Sequence, residues 1–128
     1  MSYCFSKKIT MNFEEAILSV TEELKKEGFG ILTDIDVTAT LKKKLNVDFR
    51  KYRILGACNP PFAFKALLAE PHIGTMLPCN VIVQELDEGN IEVSAVDPLA
   101  SMQSIQNMEL QSIAEAIQVK LKKVIDQL

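Results

Sequence analysis

ILGACNPPFAFKALLAEPHIGTMLPCNVIV, residues Ile54 to Val83, holds the only histidine of the chain, two of its three cysteines and four of its five prolines. Tyr52 to Cys58 predicts a strand, in which Gly56 marks a bulge or a close approach by another backbone. Asn59-Pro60-Pro61 predicts a helix start, because asparagine caps and proline suits the first helical turn, where no donor is needed. The helix runs to about Ala69, and Phe62, Phe64, Ala66, Leu67 and Leu68 make it apolar all round, which predicts burial against a sheet or a partner. Pro71 ends it, Pro71 to Gly74 is a turn, and Pro78 leads into the next strand.

Outward from this stretch, Asn80 to Leu86 and Ile91 to Val96 flank Asp87-Glu88-Gly89-Asn90 and predict a β-hairpin. Beyond Met102 and Gln103, Leu110, Ile113, Ala114, Ile117, Leu121, Val124, Ile125 and Leu128 form one stripe at helical spacing. On the N-terminal side, Ser2 to Thr10 is a strand with Tyr3, Phe5 and Lys7 on one face. Helix signals follow: Asn12 as cap, Glu15 three residues on, the stripe Phe13, Ala16, Ile17, Val20 and Leu24, and Gly28 as a left-handed stop. Gly30 to Val37 alternates, with Ile31, Thr33, Ile35 and Val37 opposite Asp34 and Asp36, which face solvent. Thr38 is the expected cap of a short helix carrying Leu41 and Leu45.

The hairpin requires antiparallel pairing, so one α+β domain is expected over residues 1–128, with an antiparallel or mixed sheet of about five strands packed by helices. With a net charge of −3, the chain lacks the cationic surface that nucleic acid requires. No apolar run reaches the length of a membrane span, and the N-terminus lacks the order of a secretory signal. The expected setting is cytoplasmic, with Cys4, Cys58 and Cys79 as free thiols.

ILGACNP at Ile54–Pro60, LPCNVIV at Leu77–Val83, EGFGIL around Gly28, Glu70-Pro71 ahead of Gly74, and Val96-Asp97-Pro98 together resemble the DUF302 family, a domain of unknown function. The resemblance implies a TBP-like arrangement, β-α-β-β-β-β-α with short extra helices. It carries over Cys58, Asn59, Pro60, Gly74, Pro78 and Cys79 as motif positions without assigning them a reaction.

Cys58 stands just before a helix N-terminus, where free N–H groups and the helix dipole favour a thiolate or a bound small anion. A free cysteine is also a common core residue. Cys58, His72 and Cys79 offer two sulfurs and one nitrogen to a soft metal. There is no CxxC, no G-x-S-x-G elbow, no P-loop and no dinucleotide fingerprint. The leading expectation is a homodimeric binding or sensing domain whose thiol-bearing pocket involves Cys58, Asn59, Pro60 and Cys79. The alternatives are a thiol-dependent enzyme with Cys58 as nucleophile, and an interaction protein that pairs through the Phe62–Leu68 helix.

Overall fold

The computed structural model describes residues 2–128. Five strands, β1 (Cys4–Thr10), β2 (Gly30–Asp36), β3 (Tyr52–Cys58), β4 (Cys79–Asp87) and β5 (Asn90–Val96), form one sheet in the order β1-β5-β4-β3-β2. Every pairing is antiparallel, so of the two sheet types expected the purely antiparallel one holds. Five helices accompany the sheet: α1 (Phe13–Lys26), α2 (Val37–Leu45), α3 (Pro60–Ala69), α4 (Pro98–Ser101) and α5 (Met108–Asp126). Instead of the open turn expected after Pro71, a 3-10 helix spans Pro71–Met76 and buries Ile73 completely.

The main core lies between the sheet and the helices α1 and α5. Phe13, Ala16, Ile17, Val20 and Leu24 are the buried residues of α1, which is the predicted stripe. Asn12 caps α1 by accepting from the Glu14 and Glu15 amides, and Gly28 takes a positive φ of 86° just beyond its end. The sheet supplies Leu55, Ala57, Cys79, Val81, Val83, Ile91, Val93 and Ala95 from alternate positions of three strands. Lys7, at the same level as Val93, reaches the end of α5 and donates to the Asp126 and Leu128 carbonyl oxygens at 3.1 and 2.6 Å. A cation there offsets the negative end of the helix dipole. Tyr3 does not share this face: it precedes β1 and is largely exposed.

β2 departs from simple alternation. A bulge between Ile31 and Thr33 leaves Leu32 without a partner and shifts the register, so Ile31 opposes Ala57 while Thr33 opposes Gly56. One extra residue reverses every later side chain of the strand. Ile31 therefore faces the helices, Thr33 and Ile35 face away, and Asp34, still exposed, turns to Arg53, which donates to it at 2.7 and 2.5 Å. The Arg53 guanidinium holds the Asp34 carboxyl below the usual carboxylate range. Val37 belongs to α2 rather than β2. The cap of α2 is Asp36, whose carboxylate accepts from the Ala39 amide at 2.9 Å, not Thr38. The Thr38 hydroxyl instead donates to the Arg50 carbonyl and accepts from the Tyr52 amide.

Gly56 is required by a close approach, though by side chains rather than backbone. A Cβ there would press on the Thr33 hydroxyl and lie 2.7 Å from Cγ of Pro78.

Candidate functional site

β3 ends where β4 begins, and Ala57 pairs with Cys79 across that end. The Pro60 helix leaves the same corner and packs against α5. Between them lies a cavity of about 300 Å³, near the lower end of ordinary ligand pockets. Its walls are Phe29 just before β2, Leu32 of β2, Phe62, Ala63, Ala66 and Leu67 from α3, and Ile113, Ala114 and Ile117 from α5. Ala57, Cys58 and Cys79 close it at the sheet, and Leu77 and Pro78 at the entry to β4. Apart from the two thiols, the only lining side chain with polar atoms in quantity is the amide of Asn59.

Cys58 and Cys79 border this one cavity. The ladder sets Cys79 opposite Ala57, not Cys58, so strict alternation aims their Cβ atoms to different sides of the sheet. Cys58 is the last residue of its strand. Cys79 is only 5% exposed. Burial pushes its thiol up to about 11, and the neighbouring Cys58 adds to the rise. At neutral pH Cys79 is therefore a protonated, apolar wall residue rather than a thiolate. Cys58 is half-buried, and Cys4 lies far along the sequence in the edge strand β1, 3.7 Å from the Ser6 hydroxyl.

Asn59 does not cap α3. Its amide donates instead to the Glu27 carbonyl oxygen at 3.2 Å, tying the end of β3 to the turn after α1. This contact also explains the tight space at Gly28, where a Cβ would lie 3.1 Å from the Asn59 amide nitrogen. The helix start is poor in donors for the reason that marked it in the sequence. Pro60 and Pro61 carry no N–H, and the Ala63 amide is already bonded to the Asn59 carbonyl at 2.9 Å. Only Phe62 retains an orphan N–H in the first turn, where an anion site normally uses several.

The three-ligand set does not assemble. The His72 side chain is 94% exposed in the 3-10 helix, with Glu70 3.9 Å from its Nδ1. Among the described residues, no three His, Cys, Asp or Glu side chains are grouped to hold a metal. Cys58 and Cys79 are brought to one cavity, and His72 is not.

A larger depression, about 460 Å³, lies between α1, α2 and β3. Several of its charged groups already serve one another: Arg53 approaches Glu14 at 3.9 Å and also pairs with Asp34 beyond the lining, and Lys42 pairs with Asp48 at 3.2 Å. The apolar cavity has no such internal partner for its walls, which makes it the candidate site.

A five-stranded antiparallel sheet with helices on one face and a cavity at the β3–β4 end defines the class of fold. The chain belongs to the DUF302 family, whose model, described as a domain of unknown function, matches residues 5–128. Among solved structures it is similar to an uncharacterized conserved DUF302 protein from Bacillus stearothermophilus. The two share 28% identity at a TM-score of 0.90, over 99% of this chain and 98% of the other. None of the curated proteins matches it. Among the described residues, no helix is long and apolar enough to cross a membrane.

The cavity could not be foreseen from local pattern. Phe29, Met102 and Leu110 join its lining from three separate segments. The all-round apolarity of α3 predicts burial against a sheet or a partner, and within this chain the sheet does not supply it. Ala66 alone is buried there, while Phe64 and Leu68 are 64% and 69% exposed.

Proposed function

We propose that this protein binds a small, largely apolar molecule in the cavity between α3, α5 and the β3–β4 end. The observation that carries the reading is the composition of the walls, which are apolar on every side and converge on one amide and two thiols. Burial of apolar ligand surface supplies the affinity, and Asn59 is held by Glu27, so it forms part of the frame. A catalytic role for Cys58 receives less support, since none of the lining residues is a carboxylate, histidine or lysine that would act as its base.

Titration with decanol, a neutral apolar probe, tests the proposal. Saturable one-to-one binding is expected, together with slower alkylation of Cys58 in a Cys4→Ala background. Ala63→Phe, which fills the mouth from a half-buried position, should abolish both effects while leaving the fold intact. Absence of binding by the unmodified protein overturns the reading.

One observation favours a second reading, the pairing of two copies through α3. Phe64 and Leu68, one helical turn apart, form an exposed apolar edge on that helix. Sedimentation across a concentration series checks it, and a Phe64→Ser, Leu68→Ser variant should then run as a monomer.

A further inference from the structure

We infer that the molecule bound in the apolar cavity is an amphipathic acid, an aliphatic or aromatic tail ending in a single carboxylate. The inference rests on the binding role proposed above and adds the chemistry of the head group.

The argument starts from Phe62, a half-buried wall residue on the first turn of α3. Two ammonium groups converge on its ring from different helices. Lys65 Nζ, on α3, lies 5.8 Å from the ring centroid, and Lys120 Nζ, on α5, lies 6.0 Å from it. The aromatic face attracts both cations but does not neutralise them. Neither lysine has a carboxylate partner among the described residues. Lys123, one turn along α5 from Lys120, instead pairs with Glu27 at 3.4 Å. The chain as a whole is acidic, with 17 carboxylate residues against 14 cationic ones. Two lysines without a carboxylate partner thus meet over Phe62, one ring of the cavity wall, although neither lines the cavity itself.

Such an arrangement suits one ligand design. A tail enters the cavity, where it meets methyl, methylene and thiol surface, and the carboxylate stays at the half-exposed edge between Lys65 and Lys120. Keeping the anion at the rim avoids the desolvation that a buried carboxylate would suffer. An inorganic anion would gain nothing from the walls, and a neutral chain would gain nothing from the two cations.

Decanoate and decanol, held below their aggregation limits and followed by calorimetry, separate these cases. Decanoate should bind roughly five- to ten-fold tighter than decanol at low salt, as expected for two partly exposed charge pairs. The advantage should narrow in concentrated sodium chloride. The Lys65→Met, Lys120→Met variant should bring decanoate down to the affinity of decanol and leave decanol itself unchanged. The Lys65→Glu, Lys120→Glu variant should prefer decylamine, whereas Lys43→Met on α2 should behave as the unmodified protein. If both probes bind equally to the unmodified protein, the acid-ligand inference fails and the apolar-cavity reading stands. If neither binds, the cavity reading fails and the inference falls with it.

Discussion

The helices α3 and α5 face each other across the cavity, and both are rich in apolar residues, yet they use them differently. α5 gathers Leu110, Ala114, Ile117, Leu121, Val124 and Ile125 into one stripe, and all six are buried. α3 distributes Phe62, Phe64, Ala66, Leu67 and Leu68 around its circumference, and only Ala66 is buried. A stripe is sufficient to hold a helix on a sheet. Apolar residues beyond the stripe need another explanation, and here Ala63, Ala66 and Leu67 line a cavity while Phe64 and Leu68 face outward. One wall of the site is core, and the other is surface that the core does not need.

Truncation on the two helices gives the largest expected contrast. Leu121 is fully buried, and Leu121→Ala should destabilise the protein by about 2–5 kcal/mol through lost contacts and a residual void. Leu68→Ala, on the exposed side of α3, should change stability by less than about 0.5 kcal/mol. Urea unfolding of the two variants measures both, and similar losses would erase the distinction between the helices.

The second contrast concerns the sheet end between them. Cys79 carries a thiol raised to about 11 by burial, whereas an unfolded cysteine titrates near 8.5. Above that lower value the unfolded chain sheds its proton while the native protein keeps it. The native state then binds more protons, and stability falls as pH rises, from the unfolded value until about 11. At about 1.4 kcal/mol per unit, a loss of about 3 kcal/mol is expected across this window. Cys79→Ala should flatten the alkaline slope, whatever offset the lost methylene contacts introduce. Identical slopes in the two proteins would show that Cys79 is exposed to solvent at the cavity and is not part of its apolar wall.

Those elements whose partners lie close in sequence were the ones legible from it. The stripes of α1 and α5, the Asn12 cap, the Gly28 stop and the β4–β5 hairpin are all local patterns, and each stands as expected. The bulge at Leu32 is different, because a period-two reading has no register against which one surplus residue can show. Asp34 is exposed, as a solvent-facing residue is, but the local pattern gave no sign of its pairing with Arg53 nineteen positions away. At the site, one cavity borders both Cys58 and Cys79, although the ladder sets Cys79 opposite Ala57 and aims the two side chains to different sides of the sheet. The donor-poor helix start was also written in Pro60-Pro61, since two prolines that favour a first turn also remove two of its N–H groups. What no local signal carried was the partner of Asn59, a carbonyl on the far side of another helix end.

That partner supplies the smallest and most discriminating test of how α3 is held. If Asn59 were a helix cap, aspartate would replace it without loss, because the two residues cap equally well. As a donor to the Glu27 carbonyl, it has a role that aspartate cannot fill: Asn59→Asp would set a buried carboxylate against a carbonyl oxygen, with no hydrogen to share. Asn59→Ala should cost about 1 kcal/mol, the usual worth of one hydrogen bond, and Asn59→Asp should cost more than the alanine variant at pH 7. Hydrogen exchange should report the loss first at Gly28 and Phe29, whose amides bond back to Lys25 and Leu24, rather than in the first turn of α3. An aspartate variant as stable as the unmodified protein would restore the capping role. It would also detach the cavity rim from the turn after α1, leaving α3 held to the body of the protein mainly through its contacts with α5.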